Sequence, residues 1–263
     1  MFGIYADLST DLSDDLFVQG ALRYEDYSDF GSELVGKIAF KYTITDDFNL
    51  RGSVGTGFRA PTPGQQGTTN VSTRLPEGLP VATGLFPALS PVGQALGAKP
   101  LTPEKSTNFS IGVTGTIADI NITLDFYNIA LKDRFYSVST RDVSTNSDDG
   151  EAYDNFLALE GAGVAGANTI GGVYYFQNAF DTTTQGFDFV ATYNLAGTIL
   201  TGSVNYNATE IDSDASEFLN NEDQFDLENS IPEWRGVLSA RHDFDDLTLV
   251  ARANIYGSYE NAI

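Results

Sequence analysis

The feature that most constrains this chain is a two-residue alternation of apolar and polar side chains, renewed in segment after segment. In a strand, successive side chains point to opposite faces, so alternation marks a sheet with two unlike surfaces. In residues 34–44, Leu34, Gly36, Ile38, Phe40, Tyr42 and Ile44 fall on one face, and Val35, Lys37, Ala39, Lys41 and Thr43 on the other. Residues 48–58 set Phe48, Leu50, Gly52, Val54 and Phe58 against Asn49, Arg51, Ser53, Gly55 and Gly57. Phe109, Ile111 and Val113 oppose Asn108, Ser110 and Gly112, and Leu247, Leu249, Ala251 and Ala253 oppose Thr248 and Arg252. About ten strands follow from this pattern, near 2–9, 16–27, 33–45, 48–58, 106–117, 119–135, 182–194, 198–209, 233–244 and 247–259. Most exceed the ~5–6 residues usual in soluble sheets and reach the ~9–11 that cross a bilayer as a tilted strand.

The connections carry a second pattern. They run short, medium, short, long, short, long, short, long, short along the chain. Residues 10–15, 45–47, 118, 195–197 and 245–246 are the short ones, and 28–32, 59–105, 136–181 and 210–232 are the others. In an up-and-down antiparallel sheet every second connection lies at the same end, so short turns gather on one rim and long loops on the other. The expected fold is therefore all-β: part of an antiparallel up-and-down transmembrane β-barrel, with short periplasmic turns and long extracellular loops. Most bases fall in the strands on the polar phase, at Arg23, Lys37, Lys41, Arg51, Arg235, Arg241 and Arg252. A charge facing lipid at the midplane costs about 2–4 kcal/mol, so that phase reads as a watery or plugged interior. A porin, a β-barrel adhesin and a soluble, secreted glycan-binding β-sandwich remain open as alternatives.

Composition narrows the chemistry. The chain has no cysteine and one histidine, which excludes disulfide frameworks, thiol catalysis and His-rich metal sites. Its 14 bases and 36 acids give a net charge of −22 without a basic patch, so no nucleic-acid partner is expected. No run of about 18 apolar residues provides a transmembrane helix. Met1 leads directly into a strand pattern rather than a signal peptide, which reads as a piece of a longer protein. Loop 59–105 is expected to lack regular structure, whereas Tyr153, Phe156, Leu157 and Leu159 suit a short helix ending near Gly161. Gly161, Gly163 and Gly166 form a GxGxxG that follows a helix rather than a strand, so they read as loop glycines. The acids at 142–154 and 222–228 lack calcium-loop spacing and read as solvated loop. His242, near the short-turn rim, reads as a surface or interface residue. Trp234, Tyr24, Tyr27, Phe30 and Phe58 lie toward one rim, and Phe17, Phe48 and Phe244 toward the other, as two aromatic girdles would.

Two stretches carry a resemblance. LRGSVGTGFRAPTPGQQ (50–66) and LGAKPLTPEKSTNFSIGV (96–113) resemble the barrel of TonB-dependent outer-membrane receptors. The matching positions are Gly55, Gly57, Phe58, Arg59, Ala60 and Pro61, then Leu101, Pro103, Glu104, Ser106, Asn108 and Gly112. RYEDYSDFG (23–31), DFYNIALKDR (125–134) and QNAFDTTTQGFDF (177–189) extend the likeness over most of the chain. The family's N-terminal plug domain and TonB box are absent from residues 1–263, and the strands are fewer than a full barrel's. The resemblance thus implies a fragment of a receptor barrel domain in the bacterial outer membrane. It implies a non-enzymatic protein without a cofactor, surrounded by outer-membrane lipid and partnered by a plug domain and TonB. The small-molecule nutrient would meet the extracellular loops, with ferric siderophore the first expectation and cobalamin or a glycan next. Arg59, Gln65, Gln66, Arg141, Tyr153 and Tyr174 are the candidate ligand contacts, with Arg59 alternatively orienting the plug.

Overall fold

A computed structural model describes residues 1–75 and 80–262. Ten strands form one antiparallel sheet in chain order. They are β1 (Phe2–Asp11), β2 (Leu16–Tyr27), β3 (Gly31–Thr45), β4 (Phe48–Arg59), β7 (Glu104–Ile117), β8 (Ile120–Ser137), β11 (Phe176–Leu195), β12 (Thr198–Ile211), β13 (Trp234–Asp243) and β14 (Thr248–Tyr256). β1 and β14 each have a single neighbour, so the sheet is open. All ten alternating segments became strands. β11 starts earlier than its alternation because Phe176–Asp181 pairs irregularly, with register shifts on either side of Phe180. The medium connection expected at 28–32 is shorter, since β2 and β3 pair up to Tyr27 and Gly31.

Register preserves the two faces across the whole sheet. One row passes from Leu8 through Gly20, Ile38, Val54 and Phe109 to Asn128. Another runs Phe126, Phe187, Tyr206, Trp234. The side chains of this apolar face meet no second layer: Val54 is 49% exposed, Ile111 40%, Leu238 57% and Leu249 52%. A soluble sandwich buries such a face against another sheet; this chain leaves it open, which overturns the sandwich alternative. No helix among the described residues is long and apolar enough to cross a membrane, so any crossing is made by strands.

The opposite face is polar, and some of its charges pair across strands. Arg51 Nε lies 2.9 Å from Asp125 Oδ1, across β7. Gly112 sits between them in register, and a Cβ there would stand 2.0 Å from the same oxygen. Glycine is what lets the pair close over the intervening strand. Gln19 reaches Asp7, Asn205 reaches Asp188, and Asn207 reaches the Tyr127 hydroxyl.

The short rim is built from tight turns. Ala118 and Asp119, like Ala196 and Gly197, take consecutive positive φ values of 48° and 67°, and 49° and 85°. That is the type I′ geometry whose twist matches antiparallel strands. His242 lies at this rim with Nδ1 2.8 Å from Thr198 Oγ1 and its ring against Phe244.

The long rim corrects one expectation. Residues 60–103 are not structureless: they contain α1 (Pro63–Gly67), β5 (Asn70–Arg74), β6 (Val81–Leu85) and α2 (Pro91–Ala95). Ser90 caps α2 by accepting from the Gly93 amide, with Pro91 at the first helical position, a local signal the composition masked. The next long loop holds β9 (Arg141–Asp142), α3 (Glu151–Gly161) and β10 (Ile170–Tyr174), with α3 where the sequence placed it. Gly163 and Gly166 follow α3 with φ of 72° and 73°, so the GxGxxG reverses the chain. The third loop carries α4 (Asn221–Asn229), capped by Asn220 accepting from the Asp223 amide.

The two faces make opposite predictions for charge. Ile111→Arg should lower folding stability in phospholipid vesicles by about 2–4 kcal/mol, measured by urea titration, while Ser110→Arg should cost under about 1 kcal/mol. Equal costs would place both positions in the same environment.

Candidate functional site

The long-loop rim begins where β4 ends. Arg59 stands opposite Glu104, the first residue of β7. Glu104 is 1% exposed and accepts from Arg59 Nε at 2.6 Å, Arg59 Nη2 at 2.8 Å and the Phe135 amide at 2.6 Å. The Arg59 guanidinium carbon also lies 5.3 Å from the Phe135 ring centre. Charge-assisted bidentate pairing of this kind fixes geometry as well as energy. It locks the exit of β4 to the entry of β7 and the top of β8. Pro61 then follows without a ladder donor. Thr62 and Gln65 form a reciprocal capping box on α1, and Gln66 Nε2 donates to the Pro61 carbonyl at 3.1 Å. Arg59 Nε and Nη2, Gln65 Oε1 and Gln66 Nε2 are thus engaged at the strand exit.

Two long loops are then joined into one body. β5, β6, β10 and β9 form a second, four-stranded sheet drawn from both. Three side chains near the start of β11 hold main-chain groups of the first loop. Tyr175 donates to the Leu96 carbonyl at 2.9 Å, Gln177 accepts from the Lys99 amide at 2.9 Å, and Asn178 exchanges hydrogen bonds with Thr102 at 2.8 Å. Ser139 hydrogen-bonds Asp223, which brings in the third loop. Beneath them lies an apolar core of Ala88, Leu96, Val138, Leu159, Val173 and Tyr175, continued by Phe180, Ala215 and Leu219. The buried hydrophobic residues of the described chain lie in these loops and the adjoining strand ends, not on the sheet face.

A pocket of 380 Å³ opens in this layer, lined by Ser139–Asp142, the start of α3 and residues 216–220. Arg141 lines it, with Asp142, Asp149, Glu151 and Glu217. Asp149 is engaged by Ser144 and by Asn146 Nδ2 at 3.0 Å. Among the described residues no three carboxylates or imidazoles converge as a metal-ligand group. Of the six candidates, Arg141 alone lines this pocket. Tyr153 lies on α3 beside Phe156, and Tyr174 packs against the apolar core opposite Leu85 of β6. Sequence reasoning missed Tyr175, Gln177 and Asn178, whose role depends on a loop that no periodicity marks. Glu104 was visible in the motif, but its burial was not.

Burial pushes the Tyr175 phenol above its usual range, against the opposing influence of nearby Arg141. A raised folded pKa means that this contribution to stability is complete below the unfolded phenol's value near 10 and is lost as pH rises through the folded value. Ultraviolet titration of tyrosinate should therefore show a late-ionising phenol that disappears in Tyr175→Phe. In the same layer, Glu104→Ala should destabilise the protein by about 1–3 kcal/mol in thermal or urea unfolding, because it strands the buried Phe135 amide. A neutral result would remove the proposed lock.

Residues 1–262 match the family model described as TonB dependent receptor-like, beta-barrel. No curated protein matches the chain. The fold is similar to that of the siderophore receptor PirA from Pseudomonas aeruginosa, with TM-score 0.67, 13% identity, and coverage of 97% of this chain and 39% of that one. It is similar to a mutant of the ferric enterobactin receptor PfeA from Pseudomonas aeruginosa, with TM-score 0.66, 16% identity, and coverage of 98% and 32%. The copper transporter OprC gives TM-score 0.61, 14% identity, and coverage of 97% and 34%. The chain thus spans between 32% and 39% of the length of these structures.

Proposed function

The chain belongs to the TonB-dependent receptor-like β-barrel family, and from that premise we propose that it serves nutrient uptake across the bacterial outer membrane. The ten strands form part of the barrel wall, with their apolar face in lipid and their polar face toward the interior. The long-loop layer faces the cell exterior and captures a scarce small molecule; the short turns face the periplasm. A plug domain occupies the interior, and energy passed through TonB admits the cargo. No bond of the cargo is made or broken.

The observation that carries this reading is the exposed apolar sheet face backed by a polar, charged one. A barrel wall in lipid requires that combination, and a water-soluble protein has no use for it. Family membership favours TonB coupling over a simple porin or an adhesin. Ferric siderophore is the proposed cargo class, since two of the similar structures are named as siderophore or ferric enterobactin receptors. The acidic loops weigh against a strongly anionic ferric complex unless a bound cation offsets them.

The test is genetic and biochemical. The full-length gene product should fractionate with the outer membrane. Its deletion should slow growth on a ferric siderophore under iron limitation, to the same extent as loss of TonB. Recovery in the soluble fraction, or uptake that persists without TonB, would overturn the reading.

A further inference from the structure

The polar face of the sheet leaves more positive than negative charge unpaired. Lys41 and Arg51 stand directly opposite each other, and the same register row passes over Gly112 to Asp125, Asp188 and Arg235. Like charges directly opposite repel. Arg51 pairs with Asp125, which leaves Lys41 without an acid at one end of the row. Asp188 accepts from Asn205 Nδ2 at 2.8 Å, and Arg235 is left without an acid at the other end. The remaining carboxylates of this face are taken as well. Asp7 accepts from Gln19, Glu25 from Arg23 and Tyr27, Glu104 from Arg59 and Asp243 from Arg241 and Thr248, while Glu33 pairs with Lys105. Asp11, at the short rim, is the exception. Lys37, Lys41, Arg235 and Arg252 are exposed and form no salt bridge among the described residues. In a chain of net charge −22, the charges that this face leaves unpaired are mainly basic.

Lys37 and Lys41 stand on β3, the third strand of the sheet, and Arg235 and Arg252 on β13 and β14, the ninth and tenth. The strand spacings between the two groups add up to roughly 29 Å along the sheet. No single small solute spans that distance, whereas a folded polypeptide does. We propose that the polar face docks a protein body whose wall-facing surface is acidic, with carboxylates set against these two basic groups. Complementary charge across an interface fixes how the two surfaces register, and like charge there repels. The inference rests on the uptake reading, whose interior plug is the body in question, and gives that partner's surface a charge.

The experiment places the full-length protein in planar phospholipid bilayers at about 0.1 M KCl, where charges act over about 10 Å. Wild type should stay closed to ions. Lys37→Glu, Lys41→Glu, Arg235→Glu and Arg252→Glu combined should raise the frequency of ion-conducting openings at least about tenfold, because like charges then face each other. The corresponding Gln variants should fall between, and Lys99→Glu, at an exposed loop position, should leave wild-type behaviour unchanged. Raising KCl to about 1 M, where the reach of a charge falls to about 3 Å, should narrow the difference. If the combined variant fails to fold, Lys37→Glu with Lys41→Glu, and Arg235→Glu with Arg252→Glu, each decide separately. Charge-reversed variants that stay as closed as wild type would overturn this inference and leave the plug-filled interior standing. An open wild type would overturn both. Closed variants that lose binding of inorganic phosphate, read by isothermal titration, would assign the bases to a small anion and overturn the protein partner.

Discussion

Hydrocarbon offers no hydrogen bonds, and most of this structure follows from that constraint. A backbone in lipid must satisfy its amides and carbonyls internally, and an antiparallel ladder does so strand by strand. The side chains then have one task per face. Leu8, Ile38, Val54, Phe109 and Ile111 remain exposed because lipid takes the place of a core. The opposite face is polar and includes cross-strand partnerships such as Arg51 with Asp125 over the glycine at 112. Neither face alone is diagnostic; their combination, kept in register across ten strands, is.

The same constraint explains where the conventional core went. A single sheet has no interior, so the buried apolar residues are gathered in the loops instead. There the backbone leaves the ladder and needs other partners. Glu104 accepts from the Phe135 amide, Asn178 accepts from the Thr102 amide, and the Tyr175 hydroxyl donates to the Leu96 carbonyl. The outcome is a layer in which loops far apart in sequence act as one body.

Legibility in the sequence divided along the same line. The strands were readable because alternation is a local, period-two property: every one of the ten segments, from Phe2 to Tyr256, formed a strand. The two faces were readable for the same reason. α3 was readable because its apolar residues recur at helical spacing. The loop layer was largely not. β5 and β6 are five residues each, too short for a pattern to rise above the surrounding Thr and Gly. α4 has no buried residues to betray its register. Among the candidate contacts, Arg59, Gln65 and Gln66 were chosen as outer-loop residues able to donate hydrogen bonds, and each also makes a hydrogen bond at the strand exit. Arg141 reached a pocket, and nothing in its sequence neighbourhood announced residues 216–220 as the other wall.

Which face meets hydrocarbon decides the account most directly. The chain has no cysteine, so single cysteines can be introduced cleanly for spin labels. Consecutive labels at 52–55, 109–112 and 237–240, read in phospholipid bilayers against oxygen and a water-soluble nickel chelate, report lipid and water access residue by residue. The account predicts that Val54, Phe109, Ile111 and Leu238 positions favour oxygen, while Ser53, Ser110 and Ser239 positions favour nickel. Uniform access along each strand, or the reverse phase, would contradict it.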